Sequence, residues 1–272
     1  MRAGLVQLTS GADPEANLAI TLGYLREAAA GGAELVLTPE VTNIVTSDRE
    51  HQRAVLHLEA DDPTLAALSA EAQALGTWLM IGSLALKTGD ADGRFANRSF
   101  LISPEGMIAA RYDKIHMFDV DVTAAETHRE SAAFRPGTRA VVTDTPVGKI
   151  GQTICYDVRF PELFHRLATA GAEIITVPAA FTPVTGAAHW ETLLRARAIE
   201  TGCFILAPAQ TGQHSATRAT HGRSLAISPW GRVLADAGTA PGVTLVDLNL
   251  SDVDTTRGRI PSLSHRREFE SP

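Results

Sequence analysis

Short apolar runs alternate along the chain with segments whose apolar residues recur at helical spacing. Residues 2–8 (RAGLVQL) form a run of strand length. Asp13 then offers a helix cap before a proline at the first helical position, and leucines recur at helical spacing as far as Gly31. A second apolar run, residues 34–40 (ELVLTPE), ends at Glu40. The pattern predicts a strand, a helix and a second buried strand.

The same alternation continues to the end of the chain. Helical spacing predicts helices over residues 64–75, from Pro161 onward and over residues 189–201. Turn residues join two pairs of strands into hairpins. The further predicted strand segments are residues 77–83 (TWLMIGS), 98–103 (RSFLIS), 107–112 (MIAARY), 149–155 (KIGQTIC), 173–181 (EIITVPAAF), 203–210 (CFILAPAQ), 224–236 (the hairpin SLAISPWGRVLAD) and 243–250 (VTLVDLNL).

These elements predict a single α/β domain with mixed sheets over residues 1–272, because no linker-like or low-complexity stretch divides the chain. Residues 115–136 have little periodicity, and we expect a long loop there. Loops of that length are often functional.

Composition excludes several classes of protein. The net charge is −7 and the basic residues are scattered among acids, so the basic footprint of a nucleic-acid-binding protein is missing. No run approaches the roughly 20 apolar residues of a membrane span, and the first residues lack a signal-peptide core. The two cysteines, Cys155 and Cys203, fit a reducing compartment. We expect a cytoplasmic protein that binds neither nucleic acid nor membrane.

Cys155 lies where an apolar strand gives way to a turn and then to a helix from about Pro161. A side chain at such a junction can stand above the sheet with backbone N–H groups nearby to bind an anion, which suits a nucleophile. The alternative interpretation is a small buried apolar residue. A thiol-protease dyad with His189 or His221 is also open, because spatial neighbours cannot be read from sequence.

Two charged residues also stand at predicted strand ends. Glu40 could act as a base there, since ligands of open α/β sheets gather at the carboxyl ends of strands; the alternative is a solvated acid. Lys114 could neutralise a developing oxyanion, or it could be a surface lysine. Glu130 fits a helix capping box that begins at Thr127. The histidines and cysteines show no zinc-ligand spacing, and phosphate-binding glycine loops are absent, so we expect no metal or nucleotide.

The order Glu40, Lys114, Cys155 resembles the catalytic triad of the nitrilase, or carbon–nitrogen hydrolase, superfamily. The surrounding strings LVLTPEV, RYDKIHMFDVDV and GQTICYDVRFPELF resemble it as well. The resemblance runs from VQLTS near the start, through PAAFTPVTGAAHWETLLRARAIETGCFILAPAQTG, to the hairpin HGRSLAISPWGRVLAD. It covers nearly the whole chain, which is therefore identified as a member of this superfamily.

The resemblance implies a four-layer α-β-β-α sandwich that pairs into dimers or larger homo-oligomers. It also implies an amidase mechanism in which Glu40 deprotonates Cys155, and the sulfur attacks the amide carbon to form a thioester. Lys114 and the backbone N–H of Tyr156 would stabilise the oxyanion. Glu130, in HRESAAFRPG, resembles a further glutamate of the family and would position groups or act as a second base. No cofactor is implied.

Within the superfamily the chain resembles the deaminated glutathione amidases and ω-amidases, through KIHMFDVDV, FTPVTGAAHWE and RARAIETG. The AQTG and SPWG segments favour deaminated glutathione. Phe181 and Thr182 belong to the matching FTPVTG string, and we expect them to contact the substrate. Two departures lie in predicted substrate loops: His221-Gly222-Arg223 replaces an expected Tyr-Gly-His, and TAAET around residues 124–126 replaces a usual Pro-Gly. They leave the exact substrate open.

The substrates of these relatives carry a carboxylate, which a guanidinium holds well. Arg159, four residues after Cys155, and Arg218 and Arg223 are the candidates to bind it. Arg159 could instead brace its loop by binding a backbone carbonyl or Glu162. Arg218 and Arg223 could instead be surface charges. Two further functions remain possible: hydrolysis of a nitrile or N-carbamoyl acid, and an inactive binding or scaffold protein, although the triad residues are all present.

Overall fold

The computed structural model describes residues 1–123 and 126–270. Its strands are β1 (Arg2–Gln7), β2 (Leu35–Leu37), β3 (Trp78–Lys87), β4 (Phe95–Ile102), β5 (Ile108–Asp113), β6 (Asp119–Thr123), β7 (Glu126–Arg129), β8 (Val141–Thr145), β9 (Gly148–Gln152), β10 (Ile174–Thr176), β11 (Phe204–Ala207), β12 (Thr211–Ser215), β13 (Arg218–His221), β14 (Leu225–Ile227), β15 (Val233–Asp236) and β16 (Gly242–Asp247). Two six-stranded sheets form the body of the molecule, in the orders β16-β1-β2-β3-β4-β5 and β15-β14-β11-β10-β9-β8. Each has three parallel strands at its centre and antiparallel strands at its sides.

Six α-helices cover the sheets, and most begin with caps that the sequence specifies. The helices are α1 (Pro14–Ala30), α2 (Arg49–Val55), α3 (Pro63–Leu75), α4 (Pro161–Thr169), α5 (Pro183–Thr201) and α6 (Ser251–Arg259), and short 3₁₀ helices span Glu59–Asp61, Glu130–Ala132 and Cys155–Arg159. In α1 the Asp13 side chain accepts hydrogen bonds from the first turn, as its position before proline predicts. The predicted helices over 64–75 and from Pro161 are confirmed. The third, predicted over 189–201, begins six residues earlier, at Pro183.

Side chains along each strand alternate between the two faces of its sheet, and the apolar core is therefore divided into three layers. In β2, Leu35 and Leu37 face the second sheet, where they share a core with residues such as Phe204. Val36, between them, packs on the other side with residues of α1 and α3. Helices α4 and α5 cover the outer face of the second sheet through a third cluster that includes Trp190. The result is the four-layer α-β-β-α sandwich that the resemblance implies.

The predicted strand segments differ from the structure mainly at their ends. The run expected to continue to Glu40 ends at Leu37, and the segment expected to reach Cys155 ends at Gln152. In both places the backbone leaves the hydrogen-bond ladder of its sheet and turns at the carboxyl end of a parallel strand. Periodicity alone does not reveal such a turn, because the residues after the strand are also buried.

The long loop predicted over residues 115–136 is wrong in part, because β6 and β7 form a hairpin within it. The substitution noted around residues 124–126 lies largely outside the described residues. A second hairpin, β12 with β13, falls in a stretch for which we predicted no element. Both hairpins form two-stranded sheets separate from the two large sheets, so neither shows the apolar alternation of a strand that belongs to the core.

Candidate active site

Three charged side chains from separate parts of the chain meet at the carboxyl edges of the two sheets. The Lys114 ammonium donates to Glu40 Oε1 at 2.8 Å and to both carboxylate oxygens of Glu130 at 2.9 Å. Lys114 is only 2% exposed and Glu40 only 5%. The sequence placed Glu40 and Lys114 at strand ends, and folding brings them into direct contact with Glu130.

Neutral donors fix the Glu40 carboxylate further. The backbone N–H of Ala180 donates to Oε2 at 2.9 Å, and Asn97 Nδ2 donates to Oε1 at 2.9 Å. Asn97 Nδ2 also lies 3.3 Å from Glu130 Oε1, so the same amide links both acids. These contacts set the orientation of the Asn97 amide, because only its NH₂ group can donate to carboxylates.

Cys155 stands at the junction that the sequence predicts. Its backbone N–H donates to Pro178 O at 2.8 Å, and the residue begins a 3₁₀ helix. Its φ of 50° lies in the left-handed region, which is uncommon outside glycine. Such strain persists only where the surroundings hold the backbone, and it is frequent at functional sites.

The buried carboxylate of Asp157 holds this turn. Its Oδ2 accepts from the Tyr112 hydroxyl at 2.6 Å and from the Ile154 N–H at 2.9 Å. Its Oδ1 accepts from the His116 N–H at 3.0 Å and contacts His116 Nδ1 at 2.7 Å. Asp157 is 0% exposed, so these bonds tie the turn that begins at Cys155 to the chain just beyond Lys114.

Gly82 brings the Glu40 turn and the Cys155 turn close together. A Cβ at this position would overlap the carbonyl oxygens of Thr38 and Pro39 and would lie 2.6 Å from Pro178 Cβ. Only glycine lets the backbone pass between the two turns. Beside Glu40, Val41 has a φ of 48° and donates its N–H to the Ser83 hydroxyl, which holds a second left-handed residue in place.

Burial and the neighbouring charges shift the pKa values of Glu40, Lys114 and Cys155. Burial raises the pKa of Glu40, but the charge and hydrogen bond of Lys114, together with hydrogen bonds from Cys155 and Asn97, outweigh it, so the net shift is downward and the carboxylate is anionic. Burial alone would lower the pKa of Lys114, yet Glu130 and Glu40 raise it well above the ordinary value. Burial, and then Glu40, raise the pKa of the Cys155 thiol well above its ordinary value, and Lys114 opposes the rise. The thiol is therefore protonated beside an anionic carboxylate.

These groups lie in the wall of an open cavity of about 400 Å³, a size typical of sites for small molecules. The cavity brings together eight of the residues predicted from sequence: Glu40, Lys114, Glu130, Cys155, Tyr156, Phe181, Thr182 and Arg218. Arg218 reaches it from β13 and donates to Ala180 O at 2.9 Å.

Two of the predicted arginines do not line the cavity. Arg159 lies over the rings of Tyr156 and Phe181, with its Nη2 3.3 Å from His189 Nδ1. Arg223 pairs with the carboxylates of Asp236 and Glu191 instead. The alternative role of Arg159, a contact with Glu162 that braces the loop, is not found among the described residues, where Glu162 pairs with arginines further along the chain.

Some residues of the site carried no sequence signal. Asn97 lies inside β4, Ala180 contributes only its backbone, and Asp157 lies in the turn that begins at Cys155. The capping-box interpretation of Glu130 is wrong, because Arg129 occupies the cap position and makes no side-chain cap hydrogen bond, while the Glu130 carboxylate binds Lys114 and the Phe118 N–H. The resemblance identifies Glu130, whereas the contacts made by Asn97, Ala180 and Asp157 arise only from the tertiary fold.

Within residues 1–123 and 126–270, no group of three or more histidine, cysteine, aspartate or glutamate side chains is arranged to hold a metal ion. No helix in that same part of the chain has the length and apolar character needed to cross a bilayer.

Comparison with known proteins places the whole length of the chain among relatives. The carbon–nitrogen hydrolase family model matches residues 2–258. A deaminated glutathione amidase from Yersinia enterocolitica is 41% identical over 270 residues, which cover 98% of this chain and 93% of that protein.

Solved structures agree with this placement. The NitFhit protein of C. elegans superposes with a TM-score of 0.91 at 35% identity, covering 98% of this chain and 65% of that one. An amidase from Nesterenkonia sp. AN1, with a TM-score of 0.81 at 27% identity, covers 98% of this chain and 94% of that one. Its structure shows covalent addition of an acetamide moiety at the active site cysteine.

Proposed function

Because the chain belongs to the carbon–nitrogen hydrolase family, we propose that its cavity cleaves amides by transferring the acyl group to Cys155. The protein is an amidase of the nitrilase superfamily. The observation that carries the mechanism is the contact of Glu40 with Lys114, deep in a cavity whose wall also contains Cys155.

Acylation begins with a proton transfer from the Cys155 thiol to the Glu40 carboxylate as the sulfur attacks the amide carbon. The two groups share one proton at rest, because the raised thiol pKa keeps it on sulfur until the substrate arrives. Lys114 and the Tyr156 N–H stabilise the oxyanion. Glu40 then gives the proton to the leaving nitrogen, the C–N bond breaks, and ammonia or an amine departs.

Deacylation repeats the same chemistry with water. Glu40 removes a proton from a water molecule, and the oxygen attacks the thioester carbon. The C–S bond then breaks, Glu40 returns the proton to the Cys155 sulfur, and a carboxylic acid departs. Glu130 acts as a positioning residue for Lys114, because it binds the ammonium with both oxygens. Three contacts support this assignment of Glu130: two with Lys114 and one with the Phe118 N–H.

The substrate that we propose is a small amide that bears a carboxylate, namely deaminated glutathione or an α-keto acid ω-amide. Similarity to a deaminated glutathione amidase favours the first. Among the three arginines proposed from sequence, Arg218 has the strongest support as the carboxylate ligand, since it lines the cavity beside Phe181 and Thr182. Arg159 lies over the rings of Tyr156 and Phe181, so these rings separate it from the cavity. Arg223 would have to leave its ion pair with Asp236 to bind a substrate.

We further propose a single domain that assembles into homodimers or larger homo-oligomers in the cytoplasm. A core shared by both sheets supports one domain. Exposed apolar side chains support association: Ile199 is 55% exposed and Trp230 54%, and they adjoin through Gly231, where a Cβ would lie 2.5 Å from Ile199 Cγ1. Two free cysteines support a reducing compartment.

A substrate panel tests the proposed activity. The protein is incubated with deaminated glutathione, α-ketoglutaramate and glutamine, and the release of amine or ammonia is measured. We expect deaminated glutathione to give the highest kcat/KM and glutamine the lowest, because its α-ammonium is absent from the other two. If none of the three is hydrolysed, the proposed substrate class is wrong.

A further inference from the structure

Arg49, at the start of α2, reaches the same cavity without a hydrogen-bond or ion-pair partner in residues 1–123 and 126–270. Its guanidinium carbon lies 6.0 Å from the centre of the Phe134 ring, and the side chain is half-buried. Burial, and then Arg53, lower the pKa of Arg49, while Glu130 opposes them. Glu130 forms no ion pair with it, and the Glu130 carboxylate is held by Lys114, Asn97 and the Phe118 N–H instead.

Gln52 lies three residues further along α2, on the face of the helix that carries Arg49, and lines the cavity too. The residue is 5% exposed, and its Nε2 donates to Thr46 O at 3.1 Å. Its Oε1 has no hydrogen-bond partner among the described residues. A buried acceptor without a donor is costly, and in a ligand site it marks a place for an N–H of the ligand.

We propose that Arg49 and Gln52 form a subsite, the α2 subsite, that binds a peptide-like leaving group by its carboxylate and its amide N–H. Arg49 supplies a cation for the carboxylate, and Gln52 Oε1 supplies an acceptor for the N–H. An α-keto acyl group contains no N–H, so this pair of groups matches the leaving side of the scissile bond.

The inference rests on the proposed function and narrows its substrate class. In deaminated glutathione the leaving group is cysteinylglycine, which has a peptide N–H and a carboxylate, whereas α-ketoglutaramate releases only ammonia. If Arg218 binds the carboxylate of the acyl group, the cavity would bind one anionic group on each side of the amide bond. Substrates with two carboxylates should therefore be preferred over substrates with one.

The kinetic test uses Arg49→Ala, with Arg53→Ala as its matched control because Arg53 is an exposed cation of the same helix. For deaminated glutathione we expect Arg49→Ala to raise KM roughly tenfold or more with a smaller fall in kcat, because substrate and transition state share this contact. The preference for the free acid over its glycine methyl ester should disappear. Turnover of α-ketoglutaramate, and all kinetics of Arg53→Ala, should stay near wild type.

A loss that falls equally on α-ketoglutaramate and deaminated glutathione, or an unchanged preference for acid over ester, would overturn the inference. Calorimetric binding of deaminated glutathione to Cys155→Ala protein gives a reading that does not need turnover. We expect Arg49→Ala to weaken this binding and Gln52→Ala to weaken it less, while Arg53→Ala leaves it unchanged. Equal affinity with and without Arg49, or no binding at all, would refute the α2 subsite, whereas absence of product from wild-type protein would refute the proposed function.

Discussion

The Glu40 carboxylate and the Lys114 ammonium hydrogen-bond at 2.8 Å although both side chains are almost fully buried. With Glu130 on the other side of Lys114, two negative charges share one positive charge, and the cluster carries a net charge of about −1 next to the Cys155 thiol. Burial is the largest cause of the raised pKa of the Cys155 thiol, and the negative charge of Glu40 adds to it while Lys114 opposes it. The site therefore rests as a base beside a protonated thiol and not as an ion pair between thiolate and lysine.

Lys114→Ala should damage both stability and catalysis. It leaves the buried Glu40 carboxylate, and the Glu130 carboxylate whose side chain is 15% exposed, without their cation, and breaking a buried pair costs roughly 3–5 kcal/mol of unfolding free energy. Loss of one oxyanion donor lowers kcat/KM roughly 10²- to 10³-fold. Lys114→Arg should also lose activity, because a broad planar guanidinium replaces a compact ammonium. Urea unfolding and steady-state kinetics measure the two effects, and a kinetically silent Lys114→Ala would remove this lysine from the mechanism.

Glu40→Gln should lower the pKa of the Cys155 thiol while it lowers turnover. The substitution removes an anion that raises the thiol pKa and leaves Lys114, which lowers that pKa. Loss of the general base should still cost roughly 10²- to 10⁴-fold in kcat. The pH dependence of Cys155 alkylation by iodoacetamide, in a Cys203→Ala background, reports the thiol pKa. An unchanged or higher pKa in Glu40→Gln would contradict the assigned electrostatics.

How far the sequence predicts this site depends on where each residue stands. Glu40 and Cys155 each follow an apolar strand, and ligands gather at the carboxyl ends of such strands, so each residue is a foreseeable candidate on its own. Their strands, β2 and β9, belong to different sheets, so their meeting depends on how the two sheets pack and does not follow from the sequence. Lys114 also stands at a predicted strand end, but only the resemblance favours it over a surface lysine. Arg49 and Asn97 carried no signal, because contacts made by a short helix and by the interior of a strand depend on packing across the whole sandwich.

The raised thiol pKa makes stability depend on pH. The unfolded chain ionises Cys155 near its ordinary pKa of about 8.5, whereas the folded chain keeps the thiol protonated to higher pH. The contribution is therefore complete below about pH 8.5 and is lost as pH rises further, by up to about 1.4 kcal/mol per pH unit. Unfolding free energies of wild type and Cys155→Ala should converge or cross between about pH 8 and 10. A difference that stays constant over that range would contradict this prediction.

Asp157→Asn should loosen the turn that carries Cys155. The amide cannot accept hydrogen bonds at both of its polar atoms, so donors among Tyr112, Ile154 and His116 lose a partner in a fully buried place. We expect a loss of about 1–3 kcal/mol in unfolding free energy for the unpaired groups, and a lower kcat with little change in KM. Asp144→Asn, at an exposed position, is the matched control. If both variants behave as wild type, Asp157 does not position the nucleophile.

The most direct test of the account compares the two cysteines, since both are free and buried. Amine or ammonia release is measured for Cys155→Ala and Cys203→Ala on the best substrate of the panel, with circular dichroism to verify that both variants fold. We expect Cys155→Ala to lose at least roughly 10³-fold in kcat, while Cys203→Ala keeps its activity and loses about 1 kcal/mol of stability. A missing nucleophile should abolish turnover. If Cys155→Ala retains more than roughly a twentieth of wild-type turnover, the proposal that Cys155 forms the thioester is wrong.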